Sequence, residues 1–590
     1  MIRKHGRCKK KKNVLPSVGR VDFLIVFFLI LGSLVLGQLF RLQVLQHKVF
    51  IVQAAKQYNT YNTVSAKRGR IFWQDLSTGE SLPLVINRPV YNFYVVPKNI
   101  KDTQLTTGLI ADILAELLNQ NKENILPKLE RDEDPYECLS EGLLNQEKDS
   151  IVKILSQKNV DKTIYGFEEY FERYYVEDGL SAHLTGFLGF ADDGHARQGQ
   201  YGLEEYFDSI LRGRDGLVLG EKDVDGRPIA IGKRAVKEAQ DGLDVILTID
   251  KNIQYKACNS LQKYVDQYGA HGGAVIIMNS QNGKLYALCA SPSFDPNNYG
   301  GELAANFVNP AAGLEYEPGS IFKPIVMAAA LDTGKITPWT TYLDTGSVVF
   351  GNYTIRNFDG KAHGINTMID VLNKSLNTGA IFAMRSVGPK VFAEYVDAFG
   401  FGKLTGIELA SEVDGDVSPL SQIKEIYAAT ASFGQGITVT PIQLIAAYAA
   451  IARGGTLVKP TIIETIDTKK VDSVKEGNRV MSPETADTLT MMLVSAVQNG
   501  YDKKAAVKGY KIAGKTGTAQ VPKSDGPGYG EETIHSFIGF GPVGNRSPSF
   551  VILIKLDKPT AVRFASDSTA PLFGELIKFL LNYFEIPPDV

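Results

Sequence analysis

The chain has 590 residues, of which 44% are hydrophobic and 22% are charged. This composition is ordinary for a globular protein and excludes wholesale disorder and collagen-like repeats. At roughly 100–200 residues per domain, the length predicts three to five folding units. The formal net charge of −2, from 63 Lys and Arg against 65 Asp and Glu, argues against a nucleic-acid-binding protein, which would carry a basic domain or stripe.

The positive charge is concentrated at the N-terminus. Residues 1–20 contain eight Lys and Arg and no acidic residue, and residues 23–40 (FLIVFFLILGSLVLGQLF) form an 18-residue run without a charge. A helix of that length is ~27 Å long, about the thickness of a hydrocarbon core. A cleaved signal peptide is the alternative, but no small-x-small cleavage site follows the run. Because cationic flanks stay in the cytoplasm, we predict a basic cytoplasmic tail at 1–20, a transmembrane helix at 21–42 and a large external body.

Cysteine and histidine usage gives no sign of a metal centre. Cys138, Cys258 and Cys289 follow the predicted span, while Cys8 precedes it, and none of the four belongs to a CxxC pair. Such an odd, widely spaced trio is not a disulfide framework. We expect buried free thiols, with a Cys258–Cys289 bridge as the alternative. The seven histidines show no HExxH or paired spacing, so we expect neither a metal nor a cofactor.

The first half of the predicted external body contains segments of several predicted secondary-structure types. Residues 43–65 have helical spacing and predict a stalk, and the apolar alternation of residues 90–96 (VYNFYVV) predicts a strand. Residues 102–160 are rich in Leu, Glu and Lys with few turn formers, which predicts small helices. Residues 183–216 are Gly-rich and predict turns that lead into a short helix. We place a domain boundary near residue 240 and expect one domain over 43–240.

The second half shows two hairpin signals far apart in sequence. Residues 273–279 (GAVIIMN) and 284–291 (KLYALCAS) are β-rich and are separated by SQNG, which is typical of a hairpin. Residues 537–540 and 550–556 (FVILIKL) form a second candidate near the C-terminus. Helical stretches lie between them. We therefore predict an α+β or mixed layered domain over 241–590, whose sheet draws strands from both ends.

Two helices in this half carry clear start signals. Asp250 follows the apolar run LDVILTI and is the predicted N-cap of a helix over 251–268. Ser482 is a predicted N-cap followed by Pro483, which suits the first helical position, so we expect a helix over 481–499.

Ser320 and Lys323, in the segment SIFK, are the first candidates for chemistry. A serine hydroxyl needs a base before it becomes a nucleophile, and burial lowers the pKa of a lysine so that its amine can act as that base. Ser-x-x-Lys occurs four times in the chain, and a solvated helix turn is the alternative for most of these pairs. Residues 317–319 (EPG) place Ser320 at a helix start, where backbone amides favour an oxyanion. Residues 324–331 (PIVMAAAL) are apolar enough to carry Lys323 into a desolvated site.

Ser375 and Asn377 form a second candidate motif, 52 residues after Lys323. A hydroxyl and an amide two residues apart can relay a proton and orient a substrate amide. The pattern is weak alone, since Ser280-Gln281-Asn282 also matches it. An ordinary polar turn or helix cap is the alternative.

Lys515, Thr516, Gly517 and Thr518 form a third candidate motif, which occurs once and follows the strand-like run YKIAG. A cation beside two hydroxyls suits a substrate carboxylate. Gly517 and Ala519 would let a substrate backbone approach the strand. An exposed lysine on an edge strand is the alternative.

In the order Ser-x-x-Lys, Ser-x-Asn, Lys-Thr-Gly, the three motifs resemble the active-serine signature of β-lactamases and penicillin-binding proteins. Residues 431–436 (ASFGQG) look closer to the division-type (septal) transpeptidases than to the elongation type. Further segments resemble class B penicillin-binding proteins: residues 66–71 (AKRGRI), 202–216 (GLEEYFDSILRGRDG), 287–297 (ALCASPSFDPN), 434–444 (GQGITVTPIQL) and 536–542 (SFIGFGP).

The resemblance implies an α+β multidomain fold. Behind a single N-terminal transmembrane helix, it places an elongated mixed pedestal (dimerisation-type) domain over 43–240. A penicillin-binding, β-lactamase-like transpeptidase domain follows over 241–590, with a central antiparallel sheet flanked by helices.

The resemblance also implies a role for each motif residue in a serine acyl-enzyme mechanism at D-Ala–D-Ala. Ser320 would be the nucleophile and Lys323 its base. Ser375 would pass the proton to the leaving amine, and Asn377 would hold Lys323 and the substrate amide. The substrate carboxylate would be bound by Lys515, Thr516, Gly517 and Thr518, and the backbone amides of Ser320 and Thr518 would form the oxyanion hole.

The partners implied are peptidoglycan stem peptides, β-lactams, an inner-membrane glycosyltransferase and divisome proteins, with no nucleic acid and no cofactor. The implied location is the bacterial cytoplasmic membrane, crossed once, with the catalytic domain outside. A D,D-carboxypeptidase and a β-lactamase share the motifs and remain alternative enzymes. A membrane-bound penicillin sensor and a structural divisome subunit are the alternatives without turnover.

Overall fold

The computed structural model describes residues 19–50, 59–102, 105–131, 133–190, 197–221, 235–471, 476–523, 526, 528–544 and 549–588. The chain divides into two compact units. The first comprises Met1–Ala66 and Arg214–Gln240, and the second comprises Lys67–Gly213 and Asp241–Val590.

Helices are concentrated in the second unit, while one long apolar helix lies in the first. The α-helices of the described residues include, in chain order, α1 (Arg20–Phe40), α2 (Thr107–Leu118), α3 (Lys122–Leu129), α4 (Asn145–Gln157), α5 (Ala182–Thr185), α6 (Gly202–Tyr206), α7 (Asp208–Leu211), α8 (Lys251–Tyr268), α9 (Lys323–Asp332), α10 (Met368–Asn373), α11 (Asn377–Ala398), α12 (Glu425–Ala431), α13 (Pro441–Ala452), α14 (Pro483–Asn499) and α15 (Thr569–Tyr583).

Strands occur in both units and form several separate sheets. Over the same described residues they are β1 (Asn59–Val64), β2 (Ile71–Asp75), β3 (Glu80–Val95), β4 (Glu137–Leu143), β5 (Tyr165–Tyr175), β6 (Phe187–Phe190), β7 (Arg197–Gln200), β8 (Gly216–Glu221), β9 (Ala235–Lys237), β10 (Val245–Asp250), β11 (Gly272–Asn279), β12 (Leu285–Ser291), β13 (Thr341–Asp344), β14 (Ser347–Phe350), β15 (Tyr353–Arg356), β16 (Gly364–Thr367), β17 (Thr456–Val458), β18 (Ile463–Ile466), β19 (Lys469–Lys470), β20 (Glu476–Arg479), β21 (Ala513–Pro522), β22 (Tyr529–Gly541) and β23 (Phe550–Asp557).

The first unit contains the apolar helix and a small sheet. The helical segment Arg20–Leu45 has a mean hydropathy of 2.6 and no buried residue, so its length and composition suit a membrane span. The sheet has the order β1-β8-β9, and its strands pair antiparallel. The predicted helical stalk over 43–65 is therefore wrong at its C-terminal end. Asn59–Val64 is a strand because its backbone pairs with β8, from Asn59 opposite Glu221 to Val64 opposite Gly216.

The N-terminal part of the second unit is built on a mixed sheet. Its strand order is β19-β18-β10-β2-β3-β4, and β5 also pairs with β3. Helices α2, α3 and α4 contribute apolar side chains to a separate core with β3 and β4, around Phe93, Ile110 and Leu155. The small helices predicted for residues 102–160 are confirmed, although this segment also contributes the strand β4.

The C-terminal part of the second unit is built on a five-stranded antiparallel sheet of order β12-β11-β23-β22-β21. Both predicted hairpins are confirmed, and β11 pairs directly with β23 from the far end of the chain. Val275 and Ile277 of β11 belong to a core with α8 and α15. Ile276 and Met278 belong to the large core with α9 and α13. Side chains alternate across a strand, so both faces of this sheet are covered by helices.

The two predicted helix starts are confirmed. Asp250 accepts a hydrogen bond from the backbone amide of Ile253 at 2.8 Å and caps α8. Ser482 accepts one from the amide of Thr485 and caps α14, which begins at Pro483. The packed faces of both helices cover the five-stranded sheet or the large core beside it.

The expectation of free thiols is wrong for two of the cysteines. Cys258 on α8 and Cys289 on β12 form a disulfide, with their Cα atoms 5.2 Å apart, while Cys138 is free. Helix α8 packs directly across β12, and this contact brings together two residues 31 apart in sequence. The spacing of the two cysteines in the sequence does not by itself indicate this disulfide.

Replacing Cys258 and Cys289 together with alanine is expected to lower the free energy of unfolding by about 2–4 kcal/mol. The bridge closes a 31-residue loop and restricts the unfolded chain, as disulfides closing loops of this size do. The measurement is denaturant unfolding followed by circular dichroism under oxidising conditions. Cys138→Ala is the matched control, because this thiol is free; an equal loss in both variants would contradict the prediction.

Candidate active site

Ser320 lies in a short 3₁₀ turn, Gly319–Phe322, that runs straight into α9. The backbone amide of Lys323 donates to the carbonyl of Ser320. Side chains three residues apart eclipse one another in such a turn, so Ser320 and Lys323 share one face. Ser320 is half-buried and lines an open groove, while Lys323 is completely buried.

Close glycine contacts fix the position of this turn. Gly319 has φ +61° and donates its amide to the carbonyl of Gly434, which has φ +79°. A Cβ on Gly434 would lie 2.2 Å from the carbonyl oxygen of Gly319, and one on Gly517 would lie 3.0 Å from that of Pro318. The turn is therefore held between residues 431–436 and β21. The small residue at position 517 therefore allows this turn to pack against β21, in addition to the predicted approach of a substrate backbone.

Lys323 contacts the second motif. Its Nζ donates to the carbonyl oxygen of Ser375 at 2.6 Å and to the Ser375 hydroxyl at 3.2 Å. Burial, followed by repulsion from Lys515, holds the pKa of Lys323 well below its usual value, against the attraction of Asp502. A neutral amine has two N–H bonds and one lone pair. Both N–H bonds have acceptors on Ser375, so these contacts leave the lone pair of a neutral Lys323 unused.

Ser375 adopts an unusual backbone conformation that serves this contact. It has φ +56° and follows the C-terminus of α10, and the amide of Leu376 donates to the carbonyl of Val371 at 3.0 Å. Left-handed residues commonly end helices, but a non-glycine residue there costs about 1–2 kcal/mol. The conformation lets the carbonyl and the hydroxyl of one residue meet the same amine.

Asn377 begins α11 and faces the hairpin β14–β15. Its Nδ2 donates to the carbonyl of Arg356 at 3.0 Å, and its backbone amide donates to Oδ1 of Asn357 at 3.0 Å. Among the contacts of the described chain, its amide group is thus placed against Arg356 and not against Lys323. Asn357 is buried and donates in turn to Asp344 at 2.8 Å. This asparagine, which sequence reasoning missed, ties the hairpin to the second motif.

Lys515 and Thr516 meet a carboxylate that sequence reasoning also missed. Asp502 follows α14 and is completely buried. Its Oδ2 lies 3.3 Å from Nζ of Lys515, and its Oδ1 accepts from the Thr516 hydroxyl at 2.5 Å. Lys515 is completely buried as well, so it is not the exposed edge-strand lysine that was the alternative. In the sequence, Asp502 is only an acidic residue that closely follows a predicted helix. This position does not distinguish it from other acidic residues.

Thr518 lies on β21 opposite His535 of β22. Its hydroxyl accepts a hydrogen bond from the amide of Ala565 at 3.1 Å. His535 is buried, and its Nδ1 is 2.8 Å from the hydroxyl of Ser568. Burial lowers the pKa of His535 to about 4, so this ring is neutral at neutral pH and supports the strand without adding charge.

The predicted site residues that are accessible to solvent line one groove. It has a volume of about 1970 Å³ and is lined by residues that include Ser320, Ser375, Asn377, Thr516 and Thr518. The amines of the two buried lysines are directed toward these hydroxyl groups from inside the protein. A nucleophile with a neutral base, a second hydroxyl beside that base and a buried cation can together perform acyl transfer to and from a serine.

Two family models match the chain. The penicillin-binding protein transpeptidase domain matches residues 273–578, and the penicillin-binding protein dimerisation domain matches residues 63–247. Stage V sporulation protein D of Bacillus subtilis is 30% identical over 582 residues, covering 96% of this chain and 86% of that protein. The peptidoglycan D,D-transpeptidase FtsI of Escherichia coli is 28% identical, covering 94% and 90%.

Solved structures share the fold. Penicillin binding protein 2X of Streptococcus thermophilus has a TM-score of 0.74 at 23% identity, covering 89% of this chain and 80% of that one. Penicillin binding protein 3 of Mycobacterium tuberculosis, complexed with aztreonam, has a TM-score of 0.66 at 25% identity, covering 89% and 98%. Since the transpeptidase model spans more than half of the chain and a 30% identical relative spans nearly all of it, this chain belongs to the penicillin-binding proteins with a transpeptidase domain.

Proposed function

We propose that this protein is a peptidoglycan D,D-transpeptidase. The observation that carries the proposal is the buried amine of Lys323, three residues after Ser320, with both N–H bonds on Ser375. Burial holds the pKa of Lys323 well below its usual value, which favours the neutral amine that a general base requires. The names of relatives that align over most of the chain, such as FtsI, support the same activity.

In the first step Ser320 attacks the carbonyl carbon between the two D-Ala residues of a stem peptide. Its proton passes to Lys323, and the oxyanion of the tetrahedral intermediate is bound by the backbone amides of Ser320 and Thr518. The C–N bond then breaks, Ser375 relays a proton to the leaving amine, and free D-alanine departs. The product is an ester on Ser320.

In the second step an amine of another stem peptide attacks this ester. It forms the cross-linking amide, loses a proton to the base and returns the hydroxyl to Ser320. Lys515, Thr516, Gly517 and Thr518 form the wall that binds the terminal carboxylate of the donor, and Asn377 orients its amide. β-Lactams acylate the same serine because they mimic the donor.

The protein acts in septal cell-wall synthesis at the cytoplasmic membrane. In this proposal residues 1–20 stay in the cytoplasm, residues 21–42 span the bilayer, residues 43–240 form the pedestal and residues 241–590 act outside. The apolar segment Arg20–Leu45 supports the anchor. The resemblance of residues 431–436 to the division type supports the septal role, with a membrane glycosyltransferase and divisome proteins as partners.

Full-length protein incubated with a fluorescent penicillin is expected to gain the mass of one adduct, which Ser320→Ala abolishes. Ser421→Ala is the matched control, because Ser421 also precedes a lysine by three residues but its hydroxyl donates to the carbonyl of Ser418. Intact-mass analysis is the measurement. Loss of the adduct in Ser421→Ala and not in Ser320→Ala would contradict the assignment.

A synthetic stem peptide with an amine acceptor separates the remaining activities. Release of D-alanine with formation of a cross-linked dimer supports the transpeptidase. Release without a dimer identifies a D,D-carboxypeptidase, and rapid penicillin hydrolysis without a stable adduct identifies a β-lactamase. A folded protein that forms no adduct would leave the structural-subunit alternative.

A further inference from the structure

Three ionisable side chains are buried together under the groove. Lys323, Lys515 and Asp502 are each completely inaccessible to solvent. They come from three elements: the start of α9, the strand β21 and the segment after α14. With both lysines protonated the trio would carry one uncompensated positive charge, and burying an unpaired charge is costly. One lysine must therefore be neutral for the trio to balance.

The hydrogen bonds and ion pair of Asp502 indicate which of the two lysines has its positive charge compensated. Asp502 places Oδ2 at 3.3 Å from Lys515 and uses Oδ1 to accept from Thr516. Lys323 instead faces a carbonyl and a hydroxyl, both on Ser375. A carboxylate favours the charged form of the amine that it contacts. The geometry thus gives the cation to Lys515.

We propose that Asp502 is a positioning residue that sets the charges of the two lysines. It holds Lys515 as the ammonium ion that the substrate carboxylate needs and leaves Lys323 as the neutral base for Ser320. This inference rests on the proposed transpeptidase function and adds to it a residue outside the three motifs. Asp502 acts through the lysines and touches no substrate.

The surrounding titratable groups do not alter this balance. Lys515 and Asp502 are the charged groups that act on Lys323. Tyr448 on α13 and Tyr316 face the same interior, and burial raises the pKa of both phenols above the usual value, which keeps them neutral. The hydroxyl of Tyr448 donates to the carbonyl of Ile321 at 2.7 Å.

A charge cycle tests the proposal through the pH dependence of penicillin acylation. In Lys515→Gln the carboxylate of Asp502 has only Lys323 as a cationic partner, so Lys323 holds its proton to higher pH. The acid limb of acylation efficiency, which reports the free enzyme, is expected to move up by roughly 1–3 pH units. In the double variant Asp502→Asn/Lys515→Gln both charges are gone, and the limb is expected to return close to its wild-type position.

Asp502→Asn alone gives the opposite signature. Without the carboxylate, Lys323 loses the attraction that favours its charged form while the repulsion from Lys515 remains, so the acid limb is expected to move down by roughly 1–3 pH units. Asp502→Glu restores the charge and is expected to reverse much of that shift. If either single variant fails to fold, the shift in the pH profile of the other variant still tests the proposal.

Lys504→Gln is the matched control, since Lys504 also pairs with an aspartate, Asp567, but is exposed; its profile should match that of the wild type. Unmoved limbs in Lys515→Gln or Asp502→Asn, with only a uniform loss of rate, would overturn the proposal and leave Asp502 a structural residue. Wild-type protein that forms no adduct at all would instead overturn the proposed function.

Discussion

Lys323→Met is expected to slow acylation by penicillin about 10²–10⁴-fold, the usual contribution of a positioned general base. Methionine keeps the length of the buried stem and lacks the lone pair that receives the proton of Ser320. Lys323→Arg is not expected to restore the rate, because a guanidinium does not deprotonate in proteins. The measurement is the acylation rate from stopped-flow fluorescence or timed intact-mass analysis. A rate within a few-fold of the wild type in Lys323→Met would exclude Lys323 as the base.

The same variant is expected to show an altered dependence of stability on pH. Burial lowers the pKa of Lys323 in the folded protein, so unfolding takes up a proton between that lowered pKa and the ordinary lysine value of about 10.4. This cost to stability is fully present below the folded pKa and disappears as the pH rises toward the unfolded value. The melting temperature of Lys323→Met minus that of the wild type should therefore fall between pH 7 and pH 10. A difference independent of pH would contradict a neutral Lys323.

The sequence was most informative where local chemistry fixes local structure. The capping residues Asp250 and Ser482 predicted helix starts, because the cap bonds form within three residues. The apolar run after Lys323 predicted its burial, since a helix that is apolar on all sides carries even a lysine into the core. The three motifs meet in the second unit as their order suggested, although their catalytic roles stay predictions until they are tested.

Features that depend on contacts between distant segments were not accessible in this way. Asp502 is an ordinary acid in the sequence, and only the approach of its loop to β21 makes it the partner of Lys515. Cys258 and Cys289 pair because α8 crosses β12. Asn59–Val64 has helical spacing but becomes a strand because β8 offers backbone partners. In each case tertiary contact, and not local preference, decides the outcome.

A buried ionic network joins the start of the second unit to its Gly-rich segment. Glu204 on α6 is completely buried. Its Oε2 accepts from Nε of Arg68 at 2.6 Å and its Oε1 from Nε of Arg173 on β5 at 2.7 Å. Arg173 also donates to the carbonyl of Gly69 at 2.8 Å and to Asn87 at 3.2 Å. One carboxylate thus holds together two segments that resemble the family, residues 66–71 and 202–216.

Glu204→Gln is expected to lower the free energy of unfolding by about 3–5 kcal/mol, the usual cost of leaving a buried partner charge uncompensated. The amide has nearly the same shape as the carboxylate, so the loss arises from the uncompensated buried charge of Arg173 and not from a cavity, while Arg68 keeps a 2.9 Å ion pair with Asp208. Glu172→Gln is the matched control, because Glu172 forms a 2.7 Å pair with Arg88 whose side chains are 38% and 33% exposed, and such pairs contribute about 0–1 kcal/mol. Denaturant unfolding of the two variants beside the wild type is the measurement. Equal losses would mean that solvent screens the Glu204 network as well as it screens a surface pair. A large difference would show that burial makes the contacts of Glu204 with Arg68 and Arg173 a major contribution to stability.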